Sequence, residues 1–255
     1  MNHASANIKW NDKIYEVDFS SSIDISIAIK DSRIEKGASA WYVGGPKFEP
    51  VRADGFIGKV AEGGSVNFTD VYFNPHGHGT HTECLGHITT EAESIDRQLR
   101  LEPMPALMPC LVHTIDPDSA GGDRVVLPKN LPEDAPLPPA LVLRTLPNSD
   151  DKKVQAWDNT NPPYLHPDFT LELVARGVNH LLIDLPSVDK EVDGGALLSH
   201  RAFFGVPLSP RLDATITEFI YVPNKVNDGL YALNLQVAAF DLDASPSRPI
   251  LFPLR

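Results

Sequence analysis

Proline punctuates this chain too often for long helices to dominate it. Twenty-three of the 255 residues are proline, about 9% against a typical ~5%. Inside a helix each one would remove a backbone donor and clash with the preceding turn. Pro128, Pro132, Pro136, Pro138 and Pro139 crowd into one stretch that excludes regular structure. A helical bundle is disfavoured, and strands joined by ordered loops are expected. Apolar or alternating runs at 13–17, 23–29, 65–73, 107–115, 140–145, 180–185, 214–222, 230–240 and 248–254 read as strands. Runs at 91–101, 166–177 and 196–204 read as helices, with Gly177 as a stop signal. Asp228-Gly229 carries a hairpin-type turn signal between the strands at 214–222 and 230–240. Residues 31–64 are glycine-rich and read as a long loop of the kind that often carries function. No repeat, low-complexity tract or dividing linker interrupts the sequence, so residues 1–255 are expected to form a single mixed α/β domain.

Charge narrows the partners. Acidic residues outnumber basic ones 34 to 22, for a formal net charge of −12. Phosphate-rich partners need clustered Lys and Arg, so nucleic acid and anionic membrane surfaces are not expected. No apolar run approaches the ~20 residues of a membrane span, and residues 1–10 hold no apolar signal core. Cys84 and Cys110 are too few for a disulfide framework. A cytoplasmic protein is the expectation.

The chemistry concentrates in one stretch. Four of the nine histidines, His76, His78, His81 and His87, fall within twelve residues, with Glu83 among them. Imidazole with carboxylate is a hydrolytic metal set, whereas structural zinc usually takes thiolates. Gly77 and Gly79 allow the backbone to bend so that the imidazoles converge. His81 and Glu83 point the same way in an extended segment, and Glu83 and His87 share a face if a helix begins there. A surface loop of polar turn formers is the plainer alternative. The cluster instead follows an expected strand, lies within folded-looking sequence and contains a carboxylate. The helical His-Glu-x-x-His arrangement of zinc proteases is absent.

This stretch resembles the metal motif of the cyclase family of metal-dependent hydrolases, which includes bacterial kynurenine formamidase and isatin hydrolase. The family pattern is His-x-Gly-Thr-His-x-Asp-x-Pro-x-His; here His78-Gly79-Thr80-His81-Thr82-Glu83 runs on to His87. Further landmarks follow in the family's order. Ile23-Asp24-Ile25-Ser26 resembles its N-terminal strand, and residues 182–189 resemble its Asp-x-Pro-Ser-x-Asp loop, with His200 beyond. Residues 214–220 resemble its Glu-bearing strand, and 228–236 and 245–250 its C-terminal hairpin and tail.

The resemblance implies a divergent member with a swivelling β/β/α-type fold around a compact mixed sheet, usually homodimeric. It implies one or two divalent ions, commonly zinc and in some members manganese. His81 matches a metal ligand, Glu83 a bridging aspartate, His200 and Glu218 the ligands of a second position, and His87 the general acid/base. The implied activity is arylformamidase-like hydrolysis of a C–N bond in a small amide, formamide or lactam by metal-bound hydroxide. A non-catalytic metal- or ligand-binding protein and a metal-dependent lyase or dehydratase are the rival readings.

Three departures mark the divergence. Glycine stands at position 77, where the family has its first ligand, so His76 or His78 must substitute. His76 is favoured, because Gly77 can absorb the one-residue shift; His78 is then left to touch substrate or orient a ligand. Glu83 adds a methylene to the usual aspartate. Cys84-Leu85-Gly86 replaces the usual Ala-Pro-x and puts a thiol beside the site, where a small packing role is the plainer reading. Trp41, in the glycine-rich loop, matches a loop that supplies aromatic contacts to flat substrates. Asp184 and Asp189 are candidates to orient a histidine, and His113, His166 and His180 read as structural.

Overall fold

The computed structural model describes residues 5–90, 93–132 and 136–255. Its main sheet has eight strands, which we number in chain order: β1 (Ile23–Asp24), β2 (His81–Glu83), β3 (Met108–Ile115), β4 (Ala140–Thr145), β5 (His180–Ile183), β6 (Thr215–Glu218), β7 (Gly229–Val237) and β8 (Ala244–Pro253). Seven run in the order β7-β3-β4-β5-β6-β2-β8, and β8 pairs back to β7 to close a ring; β1 pairs with the outer part of β8. The pairs β3–β4, β4–β5 and β5–β6 are parallel and the rest antiparallel.

Every residue of β4 and β5 is buried, which explains the apolar runs at 140–143 and 181–183: a parallel strand covered on both faces has no polar side to show. Ala140, Val142 and Leu182 pack with Met108, Val112 and Leu233. The alternate residues Leu141, Leu143, Leu181 and Ile183 pack with Phe169, Leu173, Phe203 and Phe204. These four aromatic and aliphatic residues belong to the helices α2 (Pro167–Ala175) and α3 (Leu198–Phe204); α1 (Ile95–Leu101) precedes β3. His166 caps α2 by accepting from the Asp168 amide, Pro167 occupies the first turn, and Gly177 ends the segment at φ +83°.

Several expectations need correction. The run at 23–29 enters the ladder only at Ile23–Asp24, although Ile25 and Ile27 are buried as its alternation requires. The run at 65–73 forms only Thr69–Tyr72, an exposed strand paired with Lys47–Pro50 away from the main sheet. The segment at 214–222 does not form a hairpin with 230–240; β6 pairs with β5 and β2, and the hairpin partner of β7 is β8. Asp228 instead accepts from the amide and hydroxyl of Thr114 and from Arg144. The helix expected at 91–101 is Ile95–Leu101, with 91 and 92 outside the described residues; 133–135 of the proline-rich stretch also lie outside them.

Candidate metal centre

Strand β2 places the first two groups. Its alternation puts His81 and Glu83 on one face, and its position between β6 and β8 surrounds them. The register sets Glu218 opposite His81 on one side and Ala244 opposite Glu83 on the other, so Asp243 arrives at the edge of the same face. Gly79 makes the preceding bend at φ +67°; a Cβ there would stand 2.8 Å from the Ile27 carbonyl. The Gly79 carbonyl accepts from His81 Nδ1 at 3.2 Å. After β2, the single turn Leu85–Ile88 folds His87 back, leaving its Nε2 3.9 Å from Glu83 Oε2. His200 arrives on α3. Asp189 accepts from the Ser199 and His200 amides at 2.7 and 3.1 Å, capping that helix, and also binds His200 Nδ1 at 2.6 Å.

The cluster carries more carboxylate contacts than neutral imidazoles can satisfy. His76 meets Asp243 through Nε2 at 2.8 Å and Glu83 through Nδ1 at 3.3 Å. His200 meets Asp189 through Nδ1 and Glu83 Oε1 through Nε2 at 2.8 Å. A neutral imidazole donates from one nitrogen only. Each second contact therefore calls for an extra proton or a cation between the groups. Burial opposes charge on His76, but the carboxylates of Asp243 and Glu83 outweigh it and push its pKa up to about 10. For His200 burial again opposes, and Glu83 and Asp189 drive the pKa well above the ordinary value. Burial alone would raise Glu83, yet His87 and His200 hold it well below the usual carboxylate range.

A divalent cation fits this donor set. His81 Nε2 and Glu83 Oε2 are buried without a well-formed hydrogen bond, Oε2 having only the 3.3 Å approach of His76 Nδ1. Ligand atoms of His76, His81 and Glu83 lie within 4.8 Å of one another, as do those of Glu83, His87 and His200. Glu218 stands 3.4 Å from His81 Nε2 and 3.9 Å from His200 Nε2. The Glu83 carboxylate thus spans both histidine groups, Oε1 facing His200 and Oε2 facing His76 and His87.

A cavity of about 260 Å³ opens on the cluster, walled by His76, His87, His200, Glu218, Trp41 and Asn74. Backbone strain gathers around it. Trp41, also in its wall, and Phe219, next to Glu218, adopt φ of +69° and +54°, a conformation that costs non-glycine residues energy and recurs at functional sites.

The expected residues His76, His81, Glu83, His87, His200 and Glu218 therefore share one locus, and Trp41 lines it. His78 does not join them: its Nδ1 accepts from the Asn74 amide at 3.1 Å and its ring walls a different cavity. Cys84 is fully buried, its thiol against the Glu93 carbonyl and its pKa pushed up to about 12 by burial; the thiol is turned away from the cavity, and only its backbone meets the cluster, at the His87 amide and the Asp243 carbonyl. Of the two aspartates, Asp189 orients His200, while Asp184 pairs with Lys152 at 2.7 Å. His113, His166 and His180 hydrogen-bond to Asn130, Asp168 and Thr215, away from the cluster. Asp243 was not foreseen. Its one signal is an acid two residues before the Ser245-Pro246 tail, and only the register of β8 against β2 reveals its use.

The sequence matches the cyclase family, described as "Putative cyclase", over residues 23–190. No curated protein matches it. Among solved structures, one described as a potential metal-dependent hydrolase with cyclase activity is similar at a TM-score of 0.62 and 14% identity, over 91% of this chain and 96% of that one. One described as a predicted metal-dependent hydrolase from Bacillus stearothermophilus is similar at 0.61 and 15%, over 91% and 97%. Isatin hydrolase A from Labrenzia aggregata, bound to benzyl benzoate, is similar at 0.59 and 14%, over 91% and 93%. These likenesses show a common fold: the single-domain α/β arrangement around a compact mixed sheet.

Proposed function

The chain belongs to the cyclase family, and from that premise we propose that it is a metal-dependent hydrolase of a C–N bond in a small amide, formamide or lactam. The observation that carries the proposal is the pairing of two buried ligand atoms without a well-formed hydrogen bond, His81 Nε2 and Glu83 Oε2, with an oriented imidazole beside them. His76, His81 and Glu83 would hold one ion, zinc in the first instance and manganese in the second; His200 and Glu218, sharing Glu83, would hold another. A bound divalent ion lowers the pKa of water toward ~7 and polarises a carbonyl.

The chain's own groups do the rest. Asp243 Oδ2 accepts from His87 Nδ1 at 3.2 Å, which leaves the Nε2 lone pair facing Glu83 and the cavity. His87 can take a proton from attacking water there and return it to the leaving nitrogen. Asp189 and Asp243 fix the orientation of His200 and His76, as carboxylates do behind metal-binding imidazoles. Trp41 offers a flat wall for a small planar substrate. We include a homodimer in the proposal, because the excursion at 47–73 exposes the Phe56–Phe68 ring pair and also Val71 and Tyr72; light scattering after size exclusion tests it.

The decisive experiment pairs metal analysis with a panel of formamides, lactams, cyclic imides and esters. His87→Ala is expected to keep its metal and lose roughly 10²–10⁴-fold in turnover, whereas His81→Ala loses metal and activity together. Metal-replete wild-type protein inert across the panel would favour a binding protein. Metal loss in His87→Ala equal to that in His81→Ala would make His87 a ligand.

A further inference from the structure

Trp41, Tyr42, Asn159 and Asn161 all have left-handed backbone, with φ of +69°, +56°, +61° and +48°. Asparagine tolerates this conformation, whereas Trp and Tyr adopt it at a cost. All four gather at one carboxylate. Glu191 Oε1 accepts from the Asn159 amide at 2.5 Å and from the Tyr42 hydroxyl at 2.9 Å. Its Oε2 accepts from the Asn161 amide at 2.9 Å. Three donors from two separate loops thus meet a single charged acceptor, which makes the stronger class of hydrogen bond.

The turn held this way is the aromatic wall of the metal cavity. Before it, the Ala40 amide donates to the Gly77 carbonyl at 3.1 Å, in the turn that carries His76. After Trp41, the Tyr42 amide donates to Asp158 at 3.0 Å and its hydroxyl to Glu191. Tyr42 is 61% exposed, so packing contributes little to its place and the polar contacts carry the load. Glu191 itself stands with Trp41 in the wall of the metal cavity. Two residues earlier on the same segment between β5 and α3, Asp189 binds His200 Nδ1 at 2.6 Å. One short segment therefore orients a metal-side imidazole with one carboxylate and secures the facing aromatic turn with the next.

We propose that Glu191 is a positioning residue: it holds the Trp41–Tyr42 turn in its left-handed form and so fixes the spacing between the Trp41 indole and the metal-binding imidazoles, favouring flat substrates. This deepens the hydrolase reading and rests on it for the catalytic consequence. A wall already ordered costs nothing to order when a planar ring binds. A released wall must be ordered at each encounter. Trp41 touches no reacting atom, so that loss falls on KM and leaves kcat in place.

The test uses the full chain isotope-labelled at its tryptophans, the Trp41 indole line being identified by its disappearance in Trp41→Phe. Spectra are taken first on protein stripped of metal with a chelator, where hydrolysis plays no part. Glu191→Gln and Tyr42→Phe are expected to shift or broaden the Trp41 line and to leave the Trp10 line in place. Tyr42 is exposed, so its variant reports even where Glu191→Gln folds poorly. With zinc restored, KM for phthalimide, a flat cyclic imide, is expected to rise roughly tenfold in both variants, at unchanged kcat and metal content. KM for N-cyclohexylformamide, which is not flat, is expected to stay the same. The proposal is overturned by an unmoved Trp41 line in both variants, by an equal rise in KM for the two substrates, or by a fall in kcat that follows metal loss. Wild-type protein inert on both substrates would count against the hydrolase reading, and the Trp41 line would then decide the role of Glu191 alone.

Discussion

Asp243 touches two imidazoles at once, His76 at 2.8 Å and His87 at 3.2 Å. Asp243→Asn keeps the shape and removes the charge. It is expected to cut turnover by roughly 10–100-fold, with a smaller fall in bound metal, read by steady-state kinetics beside metal analysis. A second residue-scale test concerns Lys152, whose ammonium is buried against Asp184 at 2.7 Å. Lys152→Met strands the carboxylate and is expected to cost about 3–5 kcal/mol in denaturant unfolding, and adding Asp184→Leu should restore much of it. At this scale His81, Glu83 and His87 were legible, because their spacing alone aims them together. That His76 rather than His78 would stand beside Glu83 was legible only as a preference, resting on Gly77 to absorb the one-residue shift. Asp243 was not legible, since its partners lie more than 150 residues away.

Elements read well where neighbours did not decide their limits. Strand β4 was found at its observed bounds because both its faces are buried, and α2 was found because its apolar residues run up to the Gly177 stop. The Asp228-Gly229 signal misled because a local turn preference cannot say which strand lies alongside; Asp228 is used by Thr114 and Arg144 instead. The β5–β6 pair gives a pH test. His180 bonds Thr215 across the two strands at 2.9 Å, and burial lowers its pKa to about 4. The unfolded imidazole titrates near ~6.5, so between these values the unfolded chain binds more protons than the folded one. The contribution of His180 is therefore complete above about pH 6.5 and is lost as pH falls to about 4. Urea midpoints across that window should drop for the wild type, by about 3 kcal/mol from this residue, and follow a flatter course in His180→Gln.

Across the whole molecule, metal and folding are linked. The cluster draws on β2, α3, β6 and the start of β8, so an ion held there binds only the folded chain. At a free zinc concentration 100-fold above Kd, stabilisation of about 2.7 kcal/mol is expected, visible as a higher Tm that a chelator reverses and that His76→Ala loses. Affinity should also tighten as pH rises. His76 holds its proton up to about pH 10 and His200 well above the ordinary range, and a cation must displace those protons. Competition against a chelator at pH 6 and pH 8 measures it; equal affinities would contradict the displacement. The closed ring itself was the least legible feature, because closure depends on β7 meeting β8 beside β2, a relation between distant segments that no local pattern encodes. That closure sets an order of events during synthesis. His76, His81 and His87 leave the ribosome long before His200 and Asp243. A nascent chain therefore displays loose histidines without their orienting carboxylates, and the cluster assembles only once Asp243 has emerged.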